Sequence, residues 1–372
     1  MGRITMILWA CLQFNFICAQ GNKEDKQPDF LGLPWRMVAT GMPEGWYGTA
    51  EAKRVAANVL FCQKDIGGWE KNKPYHHPLT AKDSAEIIAA KLDAGATIDN
   101  GATTTEMMFL ANMYRGAGYA TYYQAFEKAF NYLLQAQYKN GGWPQFYPLQ
   151  KGKTAGYASH ITYNDNAMVN VLSLLQKIWE GAPQFSEFPI TDGMRQKAGV
   201  AYNRGVDCIL KTQIIVNGVP TVWCAQHDEN SLLPAGARAF ELASFSGGES
   251  VGILLFLMEV KAPSAVLRNA VVDAMKWFDQ HKLTGIKVEN RPGSDGKRNM
   301  VVVEDSSAAP LLARFYDLET GKPFFCDRDG VKKPTLAEIG DERRNGYSWY
   351  VNSYELLKKQ FDKWADKWKV RN

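Results

Sequence analysis

"QYKNGGW", residues 137–143, ends a segment of helical periodicity and has the same Gln-to-Trp spacing as "QKDIGGW", residues 63–69. A third version, "QIIVNGVPTVW" at 213–223, keeps the glutamine, a glycine and a later tryptophan, with insertions. A motif that recurs at a period of roughly 70 residues is typical of packed, repeated supersecondary units. The chain therefore repeats one structural unit.

The segments between the copies carry apolar residues at three- and four-residue spacing, which predicts helices. They form three pairs, 103–118 with 119–137, 166–180 with 194–213, and 249–260 with 264–283. Two further helices are predicted at 306–320 and 347–368. Because the strand signal is thin, we predict an all-α fold, an α/α toroid: a ring of antiparallel helix pairs with long loops on one face.

Acidic residues stand where the predicted helices begin: Asp99–Asn100 and Asp165–Asn166, with Glu249 and Asp305 in comparable places. Asp and Asn are favoured N-caps, so each could be purely structural. Each exit loop, however, lies at the same end as the next helix start, so a ring would bring these carboxylates together at one mouth. Such carboxylates repel unless a cation lies among them, and oxygen-rich clusters suit Ca²⁺.

The chain of 372 residues is 46 % hydrophobic and 22 % charged, as expected of a globular protein. Its first residues, "MGRITMILWACLQFNFICAQ", resemble a secretory signal, which we place at residues 1–19. Residues 20–45 contain no repeat and are interpreted as a leader, and 46–372 as the toroidal domain. We therefore expect an exported monomer, secreted or periplasmic, that has no membrane contact in its mature form.

A formal net charge of +4 permits an anionic substrate without requiring one. No basic run or aromatic–basic RNA motif indicates nucleic-acid binding. The cysteines after the signal, Cys62, Cys208, Cys224 and Cys326, are too scattered for a disulfide scaffold or for structural zinc. Whether any of them form a disulfide stays open.

Four long stretches resemble the family 10 pectate lyases. They are "IDNGATTTEM", "NGGWPQFYPL", "TVWCAQHDENSLLPAGARAFELASFSGGES" at 221–250 and "VVVEDSSAAPLLARFYDLETGKPFFCDRDG" at 301–330. The resemblance covers about residues 55–355. It implies an α/α toroid, dependence on Ca²⁺, and cleavage of de-esterified polygalacturonate by β-elimination, which gives 4,5-unsaturated oligogalacturonides.

The resemblance also implies a catalytic base, Arg238 in "GARAFEL". Chemistry alone argues against an arginine base, because a guanidinium normally stays protonated. The alternative is an ion pair with Glu229 or Glu241. Phe240 stands where the family pattern often has tyrosine, so any contact through that hydroxyl is absent.

Other residues match the family's site. The resemblance implies that Asp99 and Asp165 hold the metal, with Asn100 in the same patch. Arg328 in "CDRDG" matches an arginine that grips a substrate carboxylate, a role suited to a bidentate fork. Its alternative is a surface salt bridge with Asp327 or Asp329.

Two weaker substrate-binding candidates remain. His160, five residues before Asp165, could line the cleft or be a structural histidine. Tyr347 is either a ring that stacks on the substrate or a core residue.

Three other functions share one or more of these sequence features. Triterpene cyclases have a similar Gln/Gly/Trp repeat, but the Asp-x-Asp-Asp acid motif that they need does not occur in this sequence. A glycoside hydrolase on the same ring could use Asp99 and Asp165 as its carboxylate pair. A non-catalytic protein could hold oligogalacturonides without cleaving them. Endo or exo mode, preferred chain length, methyl-ester tolerance and the order of Ca²⁺ binding stay open.

Overall fold

The structure is a computed structural model that describes residues 30–149, 155–293 and 296–370. The predicted signal peptide and residues 20–29 of the predicted leader lie outside these ranges. The helices are α1 Trp35–Thr40, α2 Ala50–Cys62, α3 Ala81–Ala89, α4 Thr104–Ala117, α5 Ala120–Ala136, α6 Ala155–Ala158, α7 Ala167–Glu180, α8 Asp192–Thr212, α9 Glu249–Met258, α10 Ala265–His281, α11 Asp341–Gly346 and α12 Tyr354–Trp368.

Strands are short and pair two by two. They are β1 Ile161–Thr162, β2 Ile215–Val216, β3 Val219–Pro220, β4 Gln226–His227, β5 Phe245–Ser246, β6 Ile286–Pro292, β7 Arg298–Glu304, β8 Leu312–Ala313, β9 Phe315–Tyr316, β10 Phe325–Cys326, β11 Lys332–Lys333 and β12 Tyr350–Val351. All pairs are antiparallel: β1–β4, β2–β3, β5–β9, β6–β7, β8–β12 and β10–β11.

The three predicted helix pairs are confirmed as α4–α5, α7–α8 and α9–α10. Helices α4, α7 and α9 pack side by side, and α9 also packs against α12. One large core of buried apolar side chains runs through all of them. The fold is the predicted all-α, α/α toroid. Within the described residues, no helix is long and apolar enough to cross a membrane.

The repeated glutamine fastens each helix pair to the next. Its side-chain amide donates to a carbonyl of its own loop and to one on the outer helix of the following pair. The bonds are Gln63 to Gly67 (2.7 Å) and Ala125 (2.8 Å), Gln137 to Gly141 (2.9 Å) and Ala201 (2.9 Å), and Gln213 to Thr221 (2.8 Å) and Ala270 (3.0 Å). The glutamine of the motif thus connects neighbouring helix pairs by hydrogen bonds.

The first glycine of the two "GGW" loops allows the loop to touch the next outer helix. Gly67 and Gly141 have φ of +115° and +97°. A Cβ on Gly67 would lie 2.5 Å from the Lys128 carbonyl oxygen, and one on Gly141 would lie 2.0 Å from that of Arg204. Both the backbone conformation and the close approach therefore require glycine.

Residues 30–45, interpreted from the sequence as a leader, are folded onto the same core. Val38 and Ala39 of α1 are fully buried. Helix α1 and the 3₁₀ turn Glu44–Gly48 both pack against α4. The packed core therefore includes residues before 46. The domain boundaries given above stay a prediction.

The helix predicted at 306–320 is wrong, because that stretch contains β8 and β9. Pro310 lies inside the predicted helix, where it has no N–H to donate, and Leu312, Ala313, Phe315 and Tyr316 of the two strands are all buried. The helix predicted at 347–368 begins later, at Tyr354, since residues 350–351 form β12 and pair with β8.

Candidate active site

The turns before α4 and α7 share one backbone but not one sequence register. Residues 99–101 and 164–166 are 3₁₀ turns whose central residue is left-handed, with φ of 52° at Asn100 and 50° at Asp165. Asp99 therefore corresponds to Asn164, and Asn100 to Asp165. The two Asp-Asn pairs that look equivalent in the sequence are offset by one residue in space.

A backbone hydrogen bond fixes the same frame in all three units. Trp69, Trp143 and Trp223 accept through their carbonyl oxygens from the N–H groups of Thr97 (3.0 Å), Thr162 (3.1 Å) and Ser246 (2.8 Å). Glu249 follows Ser246 at the spacing at which Asp165 follows Thr162. The frame therefore equates Glu249 with Asp165.

The predicted convergence of acidic residues is confirmed for Asp99, Asp165 and Glu249. The turn 99–101 contacts the turn 164–166, which also contacts α9, whose first residue is Glu249. The expectation for Asp305 is wrong: it follows β7 in an exposed turn, 3.1 Å from Lys287 Nζ. The reason is that residues 306–320 form no helix for it to begin.

Asp99 is a buried carboxylate that accepts hydrogen bonds on both of its oxygens. It is 2 % exposed. Its Oδ2 accepts from Gln145 Nε2 (2.6 Å) and from Lys71 Nζ, and its Oδ1 accepts from the Asn100 N–H (2.9 Å). Lys71 supplies the neutralising charge that a buried carboxylate needs.

Asn100 is exposed, and its Nδ2 donates to Asn72 Oδ1 at 3.0 Å. The two amides join the turn before α4 to the loop after Trp69.

Arg314 is the cation that binds Glu249 in the acidic cluster, and no local sequence motif indicates it. Its Nη2 donates to Glu249 Oε1 (2.7 Å) and to Asn164 Oδ1 (3.1 Å), and lies 3.7 Å from Asp165 Oδ1. Burial raises the pKa of Asp165; the Arg314 charge opposes this, and the charges of Glu249 and Asp99 add to it. Asp165 is the accessible carboxylate, with 45 % of its side chain exposed.

Arg238 is held by Glu241, one of the two partners that the sequence allowed. Its Nε donates to Glu241 Oε2 at 2.7 Å, and its Nη2 donates to Oε1 of the same carboxylate. These hydrogen bonds raise the pKa of Arg238. The Arg238 side chain is nevertheless 49 % exposed, so a ligand could reach it.

Tyr347 connects the two arginines. Its ring centroid lies 4.6 Å from the Arg314 guanidinium carbon and 5.9 Å from that of Arg238, and its hydroxyl donates to Glu241 Oε1 at 2.8 Å. The ring also packs edge-on against Phe240 in a smaller apolar cluster. Tyr347 therefore orders the site from within the packing.

Arg328 and Arg238 both lie near the ring of Phe240. The Phe240 ring centroid lies 4.7 Å from the Arg238 guanidinium carbon and 5.8 Å from that of Arg328. Arg328 is exposed and forms a bidentate pair with Glu342 at 3.2 and 3.0 Å. The predicted partners Asp327 and Asp329 are wrong, because the backbone turn directs Arg328 towards α11.

His160 pairs with Glu229, its Nδ1 lying 3.1 Å from Glu229 Oε2. With Asp228 these side chains offer ligand-type atoms within 4.8 Å of one another, the one group of three or more such residues in the described ranges. The structure thus forms two neighbourhoods from the predicted residues, one of Asp99, Asn100 and Asp165 and one of Arg238, Arg328 and Tyr347, and gives His160 a separate partner.

Asp99 and Asp165 fit Ca²⁺ in donor chemistry, since both offer the hard carboxylate oxygens that this ion prefers. Asp99 already binds Lys71, while Asp165 is half-exposed and only loosely approached by Arg314. Two carboxylates fill only part of a calcium coordination sphere, so substrate and water would complete it.

Comparison with known proteins identifies the family of the chain. The family model described as pectic acid lyase matches residues 63–357. A family 10 polysaccharide lyase from Cellvibrio cellulosa has 37% sequence identity and a TM-score of 0.70, covering 88% of this chain and 96% of its own. A variant of that enzyme in complex with trigalacturonic acid gives 36% identity and 0.70, covering 87% and 97%. No curated protein sequence matches the chain.

Proposed function

This chain belongs to the pectic acid lyase family and is a pectate lyase, and from that premise we propose that it cleaves de-esterified polygalacturonate by calcium-dependent β-elimination. The products are 4,5-unsaturated oligogalacturonides. The observation that carries the proposal is the meeting of half-exposed Asp165 with the guanidinium groups of Arg314 and, through Tyr347, Arg238. A related enzyme was crystallised with trigalacturonic acid, which supports this choice of substrate.

Elimination requires a base for the C5 proton of a uronate, positive charge beside the carboxylate that becomes enolate-like, and departure of the C4 oxygen. Asp99 and Asp165 would hold Ca²⁺, which would supply Lewis-acid neutralisation of that carboxylate. Arg328, exposed and paired with Glu342, exchanges this partner for a substrate carboxylate, which matches its bidentate fork. Asn100 and His160 contact the sugar chain, and Tyr347 keeps the arginines in place.

Arg238 is the proposed base, and its ion pair with Glu241 opposes the loss of the guanidinium proton. The bidentate pair favours the guanidinium, so the neutral base forms only when this pair loosens and the guanidinium passes one proton to solvent water. After the C5 proton has moved to Arg238, the restored guanidinium pairs with Glu241 again. Glu241 therefore disfavours the reactive form and stabilises the protonated form that follows abstraction.

The test is absorbance of the unsaturated product in the near ultraviolet, measured on polygalacturonate with Ca²⁺ and then with a chelator. We expect a calcium-dependent rise that Arg238→Ala lowers by roughly 10²–10⁴-fold, the usual contribution of a general base. Arg204→Ala is the matched control, because Arg204 is an exposed arginine of α8 whose Nη2 donates to the Tyr138 carbonyl at 2.7 Å, away from the residues of the proposed site.

Each other outcome contradicts the proposal. New reducing ends without unsaturated product would indicate a hydrolase, and binding without any product would indicate a non-catalytic protein. An increase in absorbance that the chelator leaves unchanged would contradict the dependence on Ca²⁺ but not the elimination.

We also propose that the chain is exported through a signal peptide at residues 1–19, because a polysaccharide substrate is met outside the cell. N-terminal sequencing of the protein from culture medium or periplasm tests this. A mature chain that begins near residue 20 is expected, and retention of Met1 in the cytoplasm would contradict it.

A further inference from the structure

A cavity of about 390 Å³ adjoins the turn that carries Asp99 and Asn100. Its walls are Trp35 and Arg36 of α1, the loop 70–74, and residues 100–106 at the start of α4. Its volume is within the range of small-molecule sites. The α1 wall precedes residues 63–357, the part of the chain that the family model matches.

The floor of this cavity carries an incompletely bonded buried carboxylate. Glu106 is 2 % exposed, and its Oε1 accepts from Trp35 Nε1 at 2.6 Å. Its Oε2 is buried, and by hydrogen-bond geometry no described residue donates to it. A buried oxygen without a donor is costly, so a ligand hydroxyl that reaches Oε2 after a small shift of the side chain would be stabilised.

The rim of the cavity offers positive charge and amides. Arg36 is exposed, and no described carboxylate lies within ion-pair distance of its guanidinium. Lys73 is half-exposed, with its Nζ 3.1 Å from Glu70 Oε2. Asn72 lies between this rim and Asn100, to which its Oδ1 is bonded.

These features match one ligand class. A uronate residue carries hydroxyls for the free oxygen of Glu106, a carboxylate for Arg36 or Lys73, and a ring that can lie against the Trp35 indole. We propose that this cavity is a further subsite for a uronate residue of the polygalacturonate chain, next to the proposed cleavage site and walled on one side by α1. This inference rests on the proposed function, since it extends the same substrate past Asn100.

The test compares Arg36→Ala with Lys82→Ala in steady-state kinetics on polygalacturonate. Lys82 is an exposed lysine of α3 that does not line the cavity, so its removal controls for the loss of one positive charge. A subsite away from the reacting atoms contributes uniform binding. We therefore expect Arg36→Ala to raise KM roughly tenfold, with kcat within twofold, and Lys82→Ala to change neither. Asn72→Ala should act in the same direction as Arg36→Ala.

Two results would overturn the subsite: a KM in Arg36→Ala within twofold of the parent value, or an equal rise in Lys82→Ala. Calorimetric titration with trigalacturonate in chelator separates this from failure of the proposed function. If the parent protein gives no unsaturated product, the function fails. Weaker trigalacturonate binding by Arg36→Ala than by Lys82→Ala would still support the site, and equal binding would reject it.

Discussion

At the scale of single residues, Glu106 shows how burial sets the response of the protein to pH. Its carboxyl is almost fully buried, and this burial raises its pKa to about 7. The folded state therefore holds this proton more tightly than the unfolded chain does. Ionisation destabilises the fold progressively as pH rises from the unfolded value through the folded one.

We expect Glu106→Gln to stabilise the protein at alkaline pH and to have little effect at acid pH. The amide keeps an oxygen for Trp35 and cannot ionise. The difference in free energy of unfolding should grow by about 3 kcal/mol between pH 4.5 and pH 8.5, an order of magnitude that follows from the raised pKa.

Urea titrations at several pH values measure this difference. Glu127→Gln, on an exposed part of α5, is the matched control. A pH-independent difference for Glu106→Gln would show that Glu106 is not a titrating buried group.

Sequence reasoning found the residues with a motif around them and missed those defined only by contacts. Arg238 and its alternative partner Glu241 could be selected because they stand three residues apart. The Arg328 partner, Glu342, could not, since only the fold brings it near. Arg314 had no local signal at all, because its importance comes from Glu249 and Asn164, each far away in the chain.

At the scale of elements, the loop glutamine is the contact on which packing between helix pairs depends. Gln213 is 8 % exposed and donates to two carbonyls, one in its own loop and one on α10. Replacing it by methionine keeps the volume and leaves both acceptors without their donor.

We expect Gln213→Met to lower the free energy of unfolding by about 2–4 kcal/mol, since each buried acceptor loses its partner. Gln176→Met is the matched control, because the Gln176 side chain donates to Glu180 on its own helix at 3.2 Å and so joins no two helix pairs. Chemical denaturation measures both. Equal small losses would mean that the glutamine does not hold the units together.

Helices with sustained apolar spacing were predictable, and short buried strands were not. The pairs α4–α5, α7–α8 and α9–α10 each carry apolar residues at three- and four-residue spacing, and the predicted bounds agree with the structure within a few residues. The segment 306–320 was misassigned because short buried strands and a buried helix can have the same apolar spacing. The one-residue offset between Asp99 and Asp165 was invisible because it lies in the backbone of the turns.

At the scale of the whole molecule, the N-terminal residues 30–45 are a structural part of the toroid. They bury Phe30, Val38, Ala39 and Met42 in the common core. The Ala39 carbonyl also accepts from the Tyr47 hydroxyl at 3.1 Å and from Asn112 Nδ2 at 3.3 Å. The sequence could not indicate this, because the segment carries no copy of the repeat.

A chain that begins at residue 46 should therefore be less stable than one that begins at residue 30, by about 5 kcal/mol or more from the lost apolar burial. Thermal and urea unfolding of the two chains measure the difference. Equal stability of the two chains would show that the segment is a leader and does not stabilise the fold.

The offset between the two turns has a consequence for what the ring can recognise. Neighbouring units that carried the same residues at the same places would present the same groups to successive uronate residues of a galacturonan chain. In this protein the same turn carries acid then amide before α4, and amide then acid before α7. Successive uronate residues that lie along these two turns would therefore meet different groups, so the mouth of the ring would distinguish one register of the chain from the next.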